Sequence, residues 1–587
     1  MTPRDWYTAR QQAWAQERDR LDRRATVVSR LRLLTFFGAV AAFGWGSHAS
    51  SIVGAIAGLL LLVVFAALVA RHARLLYAIE CAEAKQSLAS RGIARLDRRW
   101  DALPEVLPQR TSNLDAHSYA RDIDLFGRVS LTKWLGPAAT TGGDALLQAA
   151  LLEPASAGDI AKRQQAIAEL ADRPEWRERL AAEGQIARID PGDLERFLAW
   201  AEGSARVLPA PMRIAVLGLT AAIWLGLLLQ IFQVTDESWW LAPLVAGVVL
   251  SFAYARRVYD VFDRASMGRR MLQRYSSMLR LVCDEEWRAP ELTAARDRLR
   301  EAADAPTLVA RLSRLVEWSE LRSGAALLHF PIQAFSLWDF HVFFLVERWR
   351  RLHGRRIRGW LTALAHVDAL SVLAAVKFDN PEWSAASVDG AQRVFTASAL
   401  GHPLIADARR VPNDIEIGPA GTLVLVTGSN MSGKSTLLRA VGLNIVLAQA
   451  GAPVCARSLS MPRIDLQTSI RVQDSLELGL SYFMAALARL KAIVDAANDV
   501  RPGRVLLYLL DEVLQGTNSA ERAIAVQAIA RHLLDAGAIG AMTTHDLSLA
   551  DAEPLASHAR PVHFAEQVHA DGTMTFDYRL EPGIATS

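Results

Sequence analysis

The stretch Gly428-Ser429-Asn430-Met431-Ser432-Gly433-Lys434-Ser435-Thr436 decides the fold of the C-terminal part of the chain. It fits the pattern G-x-x-x-x-G-K-[ST] of a phosphate-binding loop. The apolar run 423–426 before it is typical of a buried strand, and a helix is predicted from Leu437 onward. Such a loop turns backbone N–H groups around phosphate oxygens, and the helix points its positive end at them. The sequence therefore predicts a strand–loop–helix unit that binds a nucleoside triphosphate.

The residues of this loop are the first candidates for ligand contacts. The Lys434 side chain can reach the β- and γ-phosphates, and the Ser435 hydroxyl can bind Mg²⁺. The nucleotide-binding candidates in the loop are Gly428, Ser429, Asn430, Met431, Ser432, Gly433, Lys434, Ser435 and Thr436.

Two further apolar runs end in residues that suit an ATPase. The run 505–510 is typical of a buried strand and ends in Asp511-Glu512. In such enzymes Asp511 would hold Mg²⁺, directly or through water, and Glu512 would orient and deprotonate the attacking water. The run 538–544 ends at His545, which could sense the γ-phosphate. Without the loop upstream, this histidine would be equally well explained as a surface residue.

Composition sets broad limits on the protein class. With 587 residues, the chain is too long for one compact core, so several domains are expected. Lys and Arg number 65 against 62 Asp and Glu, and this near-balance does not favour a broad nucleic-acid surface, although local patches remain possible. Three widely separated cysteines, Cys81, Cys283 and Cys455, favour neither a zinc site nor a disulfide framework. A basic cluster at 348–358 suits a solvated helix face or a contact with a phosphate backbone.

Two long uncharged stretches predict membrane-spanning hairpins. Residues 33–70 contain no Asp, Glu, Lys or Arg, which is long enough for two helices of about 20 residues each. A second pair, 214–232 and 239–255, is joined by an acidic turn. Arginines flank the outer ends of both pairs and predict that these ends lie in the cytoplasm. A cleaved signal peptide fits poorly because the first apolar stretch starts late and is too long. A buried soluble helical hairpin is the other alternative.

These segments predict a multidomain protein. Its fold class is an α-helical core and lever region with two transmembrane helical hairpins, followed by a C-terminal α/β P-loop domain of the ABC ATPase type. We expect a multi-pass protein of a bacterial-type inner membrane with the ATPase domain in the cytoplasm. The predicted parts are a basic N-terminal helix (1–32), hairpin 1 (33–70), a helix and linker (71–124), the first part of the helical core (125–212), hairpin 2 (213–255), the second part of the core with the lever (256–400) and the ATPase domain (401–587).

The C-terminal motifs resemble those of the MutS family of DNA mismatch-repair ATPases. Residues 427–436 are close to the family's T-G-P-N-M-[GS]-G-K-S-T, and residues 510–519 resemble L-D-E-x-x-x-G-T-S/N. Thr544-His545 matches the family's T-H pair, and Gly479-Leu480-Ser481-Tyr482-Phe483-Met484 resembles G-x-S-T-F-M. Pro412-Asn413-Asp414 resembles the adenine-side segment, which makes Asn413 a further nucleotide-binding candidate. A weaker likeness, at 125–200, resembles the start of the family's helical core.

The resemblance implies roles for particular residues. ATP and Mg²⁺ would be the cofactors, with Ser435 and Asp511 as metal ligands and Glu512, His545 and Ser481 as catalytic residues. Ser481 would contact the γ-phosphate held by a partner subunit. The active site would then be composite, and the working unit would be a homodimer whose ATPase domains close together when ATP binds.

The sequence also departs from the family. The residues before Leu125 leave no room for the mismatch-reading domain with its Phe-x-Glu wedge, and hairpin 2 interrupts the helical core. Arg410 stands where an adenine-stacking Phe is expected, and the chain stops at Ser587, short of the family's helical C-terminal extension. We therefore expect any DNA contact to involve the backbone rather than a mismatched base.

Two other functions remain open. An ABC-type transporter is suggested by the fusion of an ATPase to membrane spans, but the four short spans carry no charged residue that would mark a pathway. They suit anchors better. A membrane scaffold that ATP switches between monomer and dimer, without acting on DNA, is the other alternative.

Overall fold

The computed structural model describes residues 1–49, 51–108, 114, 117–187, 189–205, 208–301, 304–324, 326–429, 431–471, 482–514, 519–546, 552–568 and 574–584. Within these residues the chain is helical as far as Asp379 and mixes strands with helices from Ser384 onward. The predicted order of a helical N-terminal region and an α/β C-terminal region is thus confirmed.

Sixteen α-helices form the described part of the helical region. In chain order they are α1 (Pro3–His48), α2 (Ile52–Leu96), α3 (Leu131–Leu135), α4 (Thr141–Leu152), α5 (Ala157–Ala171), α6 (Pro174–Ala187), α7 (Pro191–Glu202), α8 (Ala210–Ile231), α9 (Leu241–Ser266), α10 (Arg269–Asp284), α11 (Pro290–Arg300), α12 (Ala305–Ser319), α13 (Leu321–Gly324), α14 (Ala326–Ser336), α15 (Trp338–His353) and α16 (Ile357–Asp379).

The two N-terminal helices form one long antiparallel pair. α1 has 46 residues and α2 has 45, so each is about 68 Å long. Near their turn the backbones touch, because a Cβ on Gly54 would lie 2.6 Å from the Cα of Gly46. At the other end the ring of Tyr7 covers Gly92. The change from charged to uncharged sequence at residue 33 therefore falls inside one continuous helix.

Several helices are long and apolar enough to cross a membrane. Within the described residues these stretches are Pro3–His48, Ile52–Leu96, Pro211–Ile231, Leu241–Ser266 and Trp338–Asp379. The first four contain most of the apolar stretches of the two predicted hairpins and extend beyond them, and at most 17% of their apolar windows is buried in the protein. The fifth, which covers α15 and α16, is 67% buried, so protein rather than solvent or lipid surrounds most of it.

A short helix in the second part of the predicted helical core packs against hairpin 2. This helix, α14, contains Pro331, and its Gln333 donates a hydrogen bond of 3.0 Å to Ser251 on α9. His329 Nε2 lies 2.9 Å from Asp339 Oδ1 at the start of α15, and both side chains are buried. The second hairpin therefore has a further helix and a buried ionisable pair beside it.

Polar contacts join the helical region to the α/β region. The buried Asp122 accepts hydrogen bonds from Thr468 Oγ1 at 2.8 Å and from the Ile470 backbone at 3.0 Å. The Thr468 backbone donates to Ser118 O at 3.0 Å. Residues 117–124, in the predicted linker, thus lie along an edge of the C-terminal domain.

The α/β region contains twelve strands and four helices among its described residues. In chain order they are β1 (Ser384–Ala385), β2 (Ser387–Val388), β3 (Phe395–Leu400), β4 (Asn413–Ile417), β5 (Leu423–Thr427), α17 (Lys434–Ala450), β6 (Pro453–Val454), β7 (Ser458–Met461), β8 (Ile464–Ser469), α18 (Tyr482–Asn498), β9 (Val505–Leu510), α19 (Ser519–Asp535), β10 (Ile539–Thr544), α20 (Leu555–His558), β11 (Ala559–Val568) and β12 (Met574–Pro582).

The main sheet has the order β12-β11-β5-β10-β9-β8. All its neighbours pair in parallel except β12, which is antiparallel to β11. Every residue of β5, β9 and β10 is buried, as expected for parallel strands covered on both faces. β10 lies between β5 and β9, so the three strands present their carboxyl ends at one edge. A second sheet, β2-β7-β3-β4, and the short pair β1-β6 complete the domain.

Candidate nucleotide-binding site

The phosphate-binding loop follows β5 and is built around two glycines. Gly428 has φ 145° and Gly433 has φ 106°, values that residues with a Cβ rarely adopt. A Cβ on Gly428 would lie 2.8 Å from Ser432 Oγ, so the loop needs a glycine there. Ser432 Oγ is itself buried and has no hydrogen-bond partner among the described residues. The loop thus offers a buried hydroxyl whose hydrogen bonding is incomplete.

The Lys434 side chain is folded into this loop. Its Nζ donates hydrogen bonds to Gly428 O at 2.7 Å and Ser429 O at 2.9 Å. It also lies 3.5 Å from Glu512 Oε1, and only 5% of the side chain is exposed. The same ammonium group therefore contacts the loop from β5 and the carboxylate that follows β9.

A threonine of β10 holds the acidic pair in place. Thr543 Oγ1 donates to Asp511 Oδ1 at 2.5 Å and accepts a 3.0 Å hydrogen bond from the Glu512 backbone. Glu512 has φ 44°, a left-handed value that costs a residue with a Cβ about 1–3 kcal/mol and is often found at functional sites. The three residues form a fixed polar link between the ends of β9 and β10.

His545 completes this edge of the sheet. It follows β10, and its Nδ1 lies 3.5 Å from Glu512 Oε2. The side chain is 47% exposed, so it is open to solvent as well as to Glu512. The Glu512 carboxylate thus lies between Lys434 and His545, with one oxygen near each.

A cavity of about 580 Å³ opens beside the loop. One wall consists of the loop and the first turn of α17, and another contains His402 and Leu404. Asn413 also lines it and ties β4 to β12, because its amide donates to Tyr578 O at 3.0 Å and accepts from the Leu580 backbone at 2.8 Å. The volume is in the usual range of 300–1,000 Å³ for cofactor sites.

These features fit a nucleoside triphosphate with Mg²⁺. α17 begins at Lys434, so its first N–H groups face the loop and favour negative charge. Ser435 lies in this first turn, and Asp511 directly follows β9. Their side chains offer the oxygen ligands that Mg²⁺ prefers. The unpaired Ser432 hydroxyl and the Lys434 ammonium suit phosphate oxygens. The residues present therefore match the predicted ligand.

The structure brings together Lys434, Asp511, Glu512 and His545, all predicted site residues. Asn430 and Ser481 lie outside the described residues. Sequence reasoning missed Thr543, Tyr578 and His402. Thr543 was visible only as one polar residue in a strand, and the other two are distant in sequence from the loop.

Arg410 stands where an adenine-stacking Phe is expected, and its side chain makes contacts within the protein. Its guanidinium donates to His402 O at 3.2 Å and Ile405 O at 2.9 Å, and it packs over the ring of Trp383 at 5.5 Å. Arg410 therefore lines the cavity and holds residues 402 and 405 of its wall, and the departure at this position has a structural role.

His402 gives the site a pH-dependent contribution to stability. Burial, and after it the charges of Arg439 and Arg410, lower the pKa of His402 from 6.5 to about 4. The neutral ring also accepts a 3.2 Å hydrogen bond from the Leu404 backbone at Nδ1. Because the folded-state pKa is depressed, this contribution is complete above pH 6.5 and is lost as the pH falls toward 4.

We expect His402 to account for about 2 kcal/mol of the fall in the free energy of unfolding between pH 7.5 and pH 5. Urea denaturation in detergent, followed by tryptophan fluorescence, should show a smaller fall for His402→Gln than for the wild type. The exposed His558 provides the control, because His558→Gln should keep the wild-type pH dependence. Equal falls in the wild type and His402→Gln would contradict the assignment.

Comparisons with known proteins point to one family. Residues 424–587 match the family model of MutS domain V. The DNA mismatch repair protein MutS of Natronomonas pharaonis is 36% identical over 234 residues, which is 39% of this chain and 26% of that protein. MutS 2 of Halobacterium salinarum is 34% identical over 242 residues, 40% of this chain and 26% of that protein. MutS of Bacillus pumilus is 29% identical over 275 residues, 45% of this chain and 31% of that protein.

The chain spans between a quarter and a third of the length of these curated relatives. The similarity lies where the phosphate-binding loop and the Asp511-Glu512 pair were found. These findings support a relationship to the MutS family, and the C-terminal segment from residue 424 to residue 587 is identified as a match to MutS domain V.

Proposed function

We propose that this protein is a membrane-anchored ATPase of the MutS type, in which ATP binding and hydrolysis drive closure of a dimer on DNA. The ATPase part rests on one observation above all. Lys434, the first residue of α17, and Glu512, which follows β9, lie 3.5 Å apart at the edge of a nucleotide-sized cavity. The match to MutS domain V supports the same conclusion.

The residues of the nucleotide-binding site have different roles in ATP hydrolysis. The ammonium of Lys434 and the N-terminus of α17 bind and neutralise phosphate oxygens. When Lys434 engages phosphate, it releases the Glu512 carboxylate, which then orients and deprotonates water. Thr543 keeps Asp511 and the Glu512 backbone in place during this exchange. Ser435 and Asp511 would hold Mg²⁺, which would supply charge neutralisation to the phosphates.

The dimer is proposed from the family relationship. Ser481, in the segment 479–484 that resembles G-x-S-T-F-M, would contact the γ-phosphate bound to a second copy of the chain. Each site would then need both subunits. ATP would then hold two C-terminal domains together until hydrolysis separates them.

The membrane anchor is proposed from α1, α2, α8 and α9. Their apolar windows are at least 83% unburied, so large apolar surfaces remain for a lipid phase. Arginines lie at the outer ends of both hairpins, and this pattern supports the proposal of a C-terminal domain on the cytoplasmic side. We assign the protein to a bacterial-type inner membrane on this basis.

The DNA part rests on a surface of four arginines, Arg348, Arg351, Arg355 and Arg356. All four are exposed and form no ion pair with a carboxylate in the described part of the chain. Arg348 and Arg351 are one turn apart on α15, so they lie on the same face. We call these four residues the arginine surface.

The neighbouring arginines of the same cluster are already engaged. Arg350 is buried, pairs with Glu347 at 3.1 Å and packs over the Trp200 ring. Arg358 binds both Glu195 and Glu202 at 2.7 Å. Arg350 and Arg358 thus form ion pairs within the protein, whereas the charges of the arginine surface face solvent.

The position of the arginine surface favours a phosphodiester backbone over a lipid headgroup. α15 begins beside hairpin 2, where the rings of Phe340 and Tyr254 are 6.4 Å apart. A helix rises about 1.5 Å per residue, so Arg351 lies ~20 Å along α15 from Trp338. The arginines are therefore well separated from the apolar part of α9. Relatives named as DNA mismatch repair proteins support DNA as the polyanion.

Substitutions at the ATP site should separate binding from hydrolysis. We expect Lys434→Ala to abolish ATP binding, since it removes the cation of the loop. Glu512→Gln should bind ATP but hydrolyse it about 10²–10³-fold more slowly and accumulate as an ATP-bound dimer. Phosphate release and light scattering measure the two effects. Glu416→Gln is the matched control, because Glu416 does not line the nucleotide cavity and pairs with Arg560, and unchanged turnover in Glu512→Gln would contradict the mechanism.

Cysteine labelling should reveal the proposed topology. In a chain whose three native cysteines are replaced by serine, Ser51→Cys and Asp236→Cys place a thiol in each hairpin turn. We expect a membrane-impermeant maleimide to label both in intact cells, because these turns face outward. Glu105→Cys and Arg501→Cys should react only after lysis. Labelling of the last two in intact cells would overturn the orientation.

Removal of the arginine surface should weaken DNA binding without changing the ATP site. We expect replacement of all four arginines by glutamine to reduce duplex affinity and to lower the salt slope of the binding constant by about 3–4. Replacement of Arg393, Arg457, Arg501 and Arg531 removes the same charge from the C-terminal domain and is the control. Fluorescence anisotropy over a salt series measures both.

The outcomes of this experiment are distinct. A wild-type protein that binds no single-stranded, duplex or branched DNA would refute the DNA part of the proposal. Wild-type binding that survives loss of the arginine surface would place the DNA elsewhere. Binding to anionic vesicles that disappears with the arginines, without any DNA binding, would assign the surface to the membrane.

A further inference from the structure

The wall of the nucleotide cavity is bonded to the base of the N-terminal hairpin. Arg98, which follows α2, donates from Nε at 3.1 Å and from Nη2 at 3.0 Å to the same oxygen, Pro403 O. Pro403 lies between His402 and Leu404, two residues that line the cavity. Arg98 is 5% exposed, so this contact is made in the protein interior.

A second guanidinium holds the same segment from the other side. Arg410 donates to His402 O and Ile405 O, as described above. The carbonyls of residues 402, 403 and 405 are thus bound by two arginines that are distant in sequence. A loop held at three carbonyls has little freedom to change shape unless one of the arginines moves.

Two stacked tryptophans connect the arginines. Arg98 lies over the Trp134 ring at 4.8 Å, and Arg410 lies over the Trp383 ring at 5.5 Å. The two rings are 5.6 Å apart, and both side chains are buried. The four side chains form a continuous stack, which we call the Arg–Trp ladder, from the end of α2 through α3 to the C-terminal domain.

The two charges in the ladder are held differently, because Arg410 also forms an ion pair with Asp407 whereas Arg98 is held by carbonyls and a ring. Among the described residues Arg98 forms no ion pair, and its Nη1 donates to Arg95 O at 3.0 Å and Leu96 O at 3.1 Å. Burial, followed by the nearby charge of Arg410, lowers the pKa of Arg98 to about 10, so it stays charged at neutral pH. A buried guanidinium of this kind depends on every one of its hydrogen bonds.

A buried ionic triad fixes the hairpin base next to the ladder. Asp379, at the end of α16, accepts from Arg95 Nε at 2.5 Å and from the Tyr7 hydroxyl at 2.8 Å. Arg95 Nη2 also donates to the Tyr7 oxygen at 2.9 Å. The ends of α1 and α2 are therefore joined to the chain just before the C-terminal domain begins.

We propose that Arg98 and Arg410 are positioning residues of the nucleotide site, through which the α1–α2 hairpin sets the shape of the cavity wall that contains His402 and Leu404. This inference rests on the proposed nucleotide binding. The wall contains the His402 ring and the apolar Leu404 side chain, which suit a base better than phosphate. Because coupling between two sites is reciprocal, nucleotide binding must also stabilise the hairpin base.

Nucleotide affinity tests the coupling in the full-length protein. We expect Arg98→Met to raise the Kd for ATP about tenfold, the cost of about 1.4 kcal/mol in lost positioning, while the Kd for inorganic tripolyphosphate stays unchanged. The KM for ATP should rise with little change in kcat, and Arg98→Lys should be intermediate. The control is Arg99→Met, since Arg99 is exposed and contacts Asp97 alone among the described carboxylates.

Hydrogen exchange provides a test that needs no substitution. In the wild type, ATP should slow amide exchange in residues 95–104, outside the nucleotide cavity, whereas tripolyphosphate should not. Unchanged ATP affinity in Arg98→Met, or an equal loss for ATP and tripolyphosphate, would overturn the positioning role. Absence of the ATP effect on residues 95–104 would overturn the coupling. A wild type that binds neither ligand would instead refute the proposed function, and the inference with it.

Discussion

The parallel pairing of β10 with both β5 and β9 is the constraint on which the candidate site depends. It brings Lys434, which follows the loop after β5, to the same edge of the sheet as Glu512 after β9 and His545 after β10. All residues of the three strands are buried, so a shift in register would force the side chains on both faces to repack. Thr543 further fixes this edge, because its hydroxyl donates a hydrogen bond to Asp511 and accepts one from the Glu512 backbone.

Local sequence is sufficient to predict the parts of this edge but not their arrangement. The apolar runs that became β5, β9 and β10 are bounded by polar residues, so strand ends and the residues after them could be predicted. Their order in the sheet depends on packing over the whole domain, and so the contact between Lys434 and Glu512 could not be predicted. Thr543 looked like any strand residue because its importance comes from a neighbouring strand.

In the helical region, too, local sequence predicts the elements better than it predicts their contacts. Uncharged runs predicted the sites of α1, α2, α8 and α9, since length and hydropathy are local properties. α14 lies in the part predicted to be helical, but its bounds and its packing on hairpin 2 were not predicted, because Pro331, His329 and Gln333 interrupt its apolar pattern. The helix is stabilised by packing on α8 and α9. Arg98 is likewise one of several arginines in its segment, and only its contact with Pro403, 305 residues away, distinguishes it.

The arginines connect these separate observations. Arg95, Arg98, Arg350 and Arg358 are held by carboxylates or carbonyls and cannot also bind a polyanion, whereas the arginine surface keeps its charges in solvent. α16 begins directly after that surface and ends at Asp379, which is bound to the hairpin base. With 23 residues it spans about 35 Å. A single helix thus joins the surface proposed to bind DNA to the point where the hairpin meets the ATP site, so a displacement at Asp379 must move that surface as well.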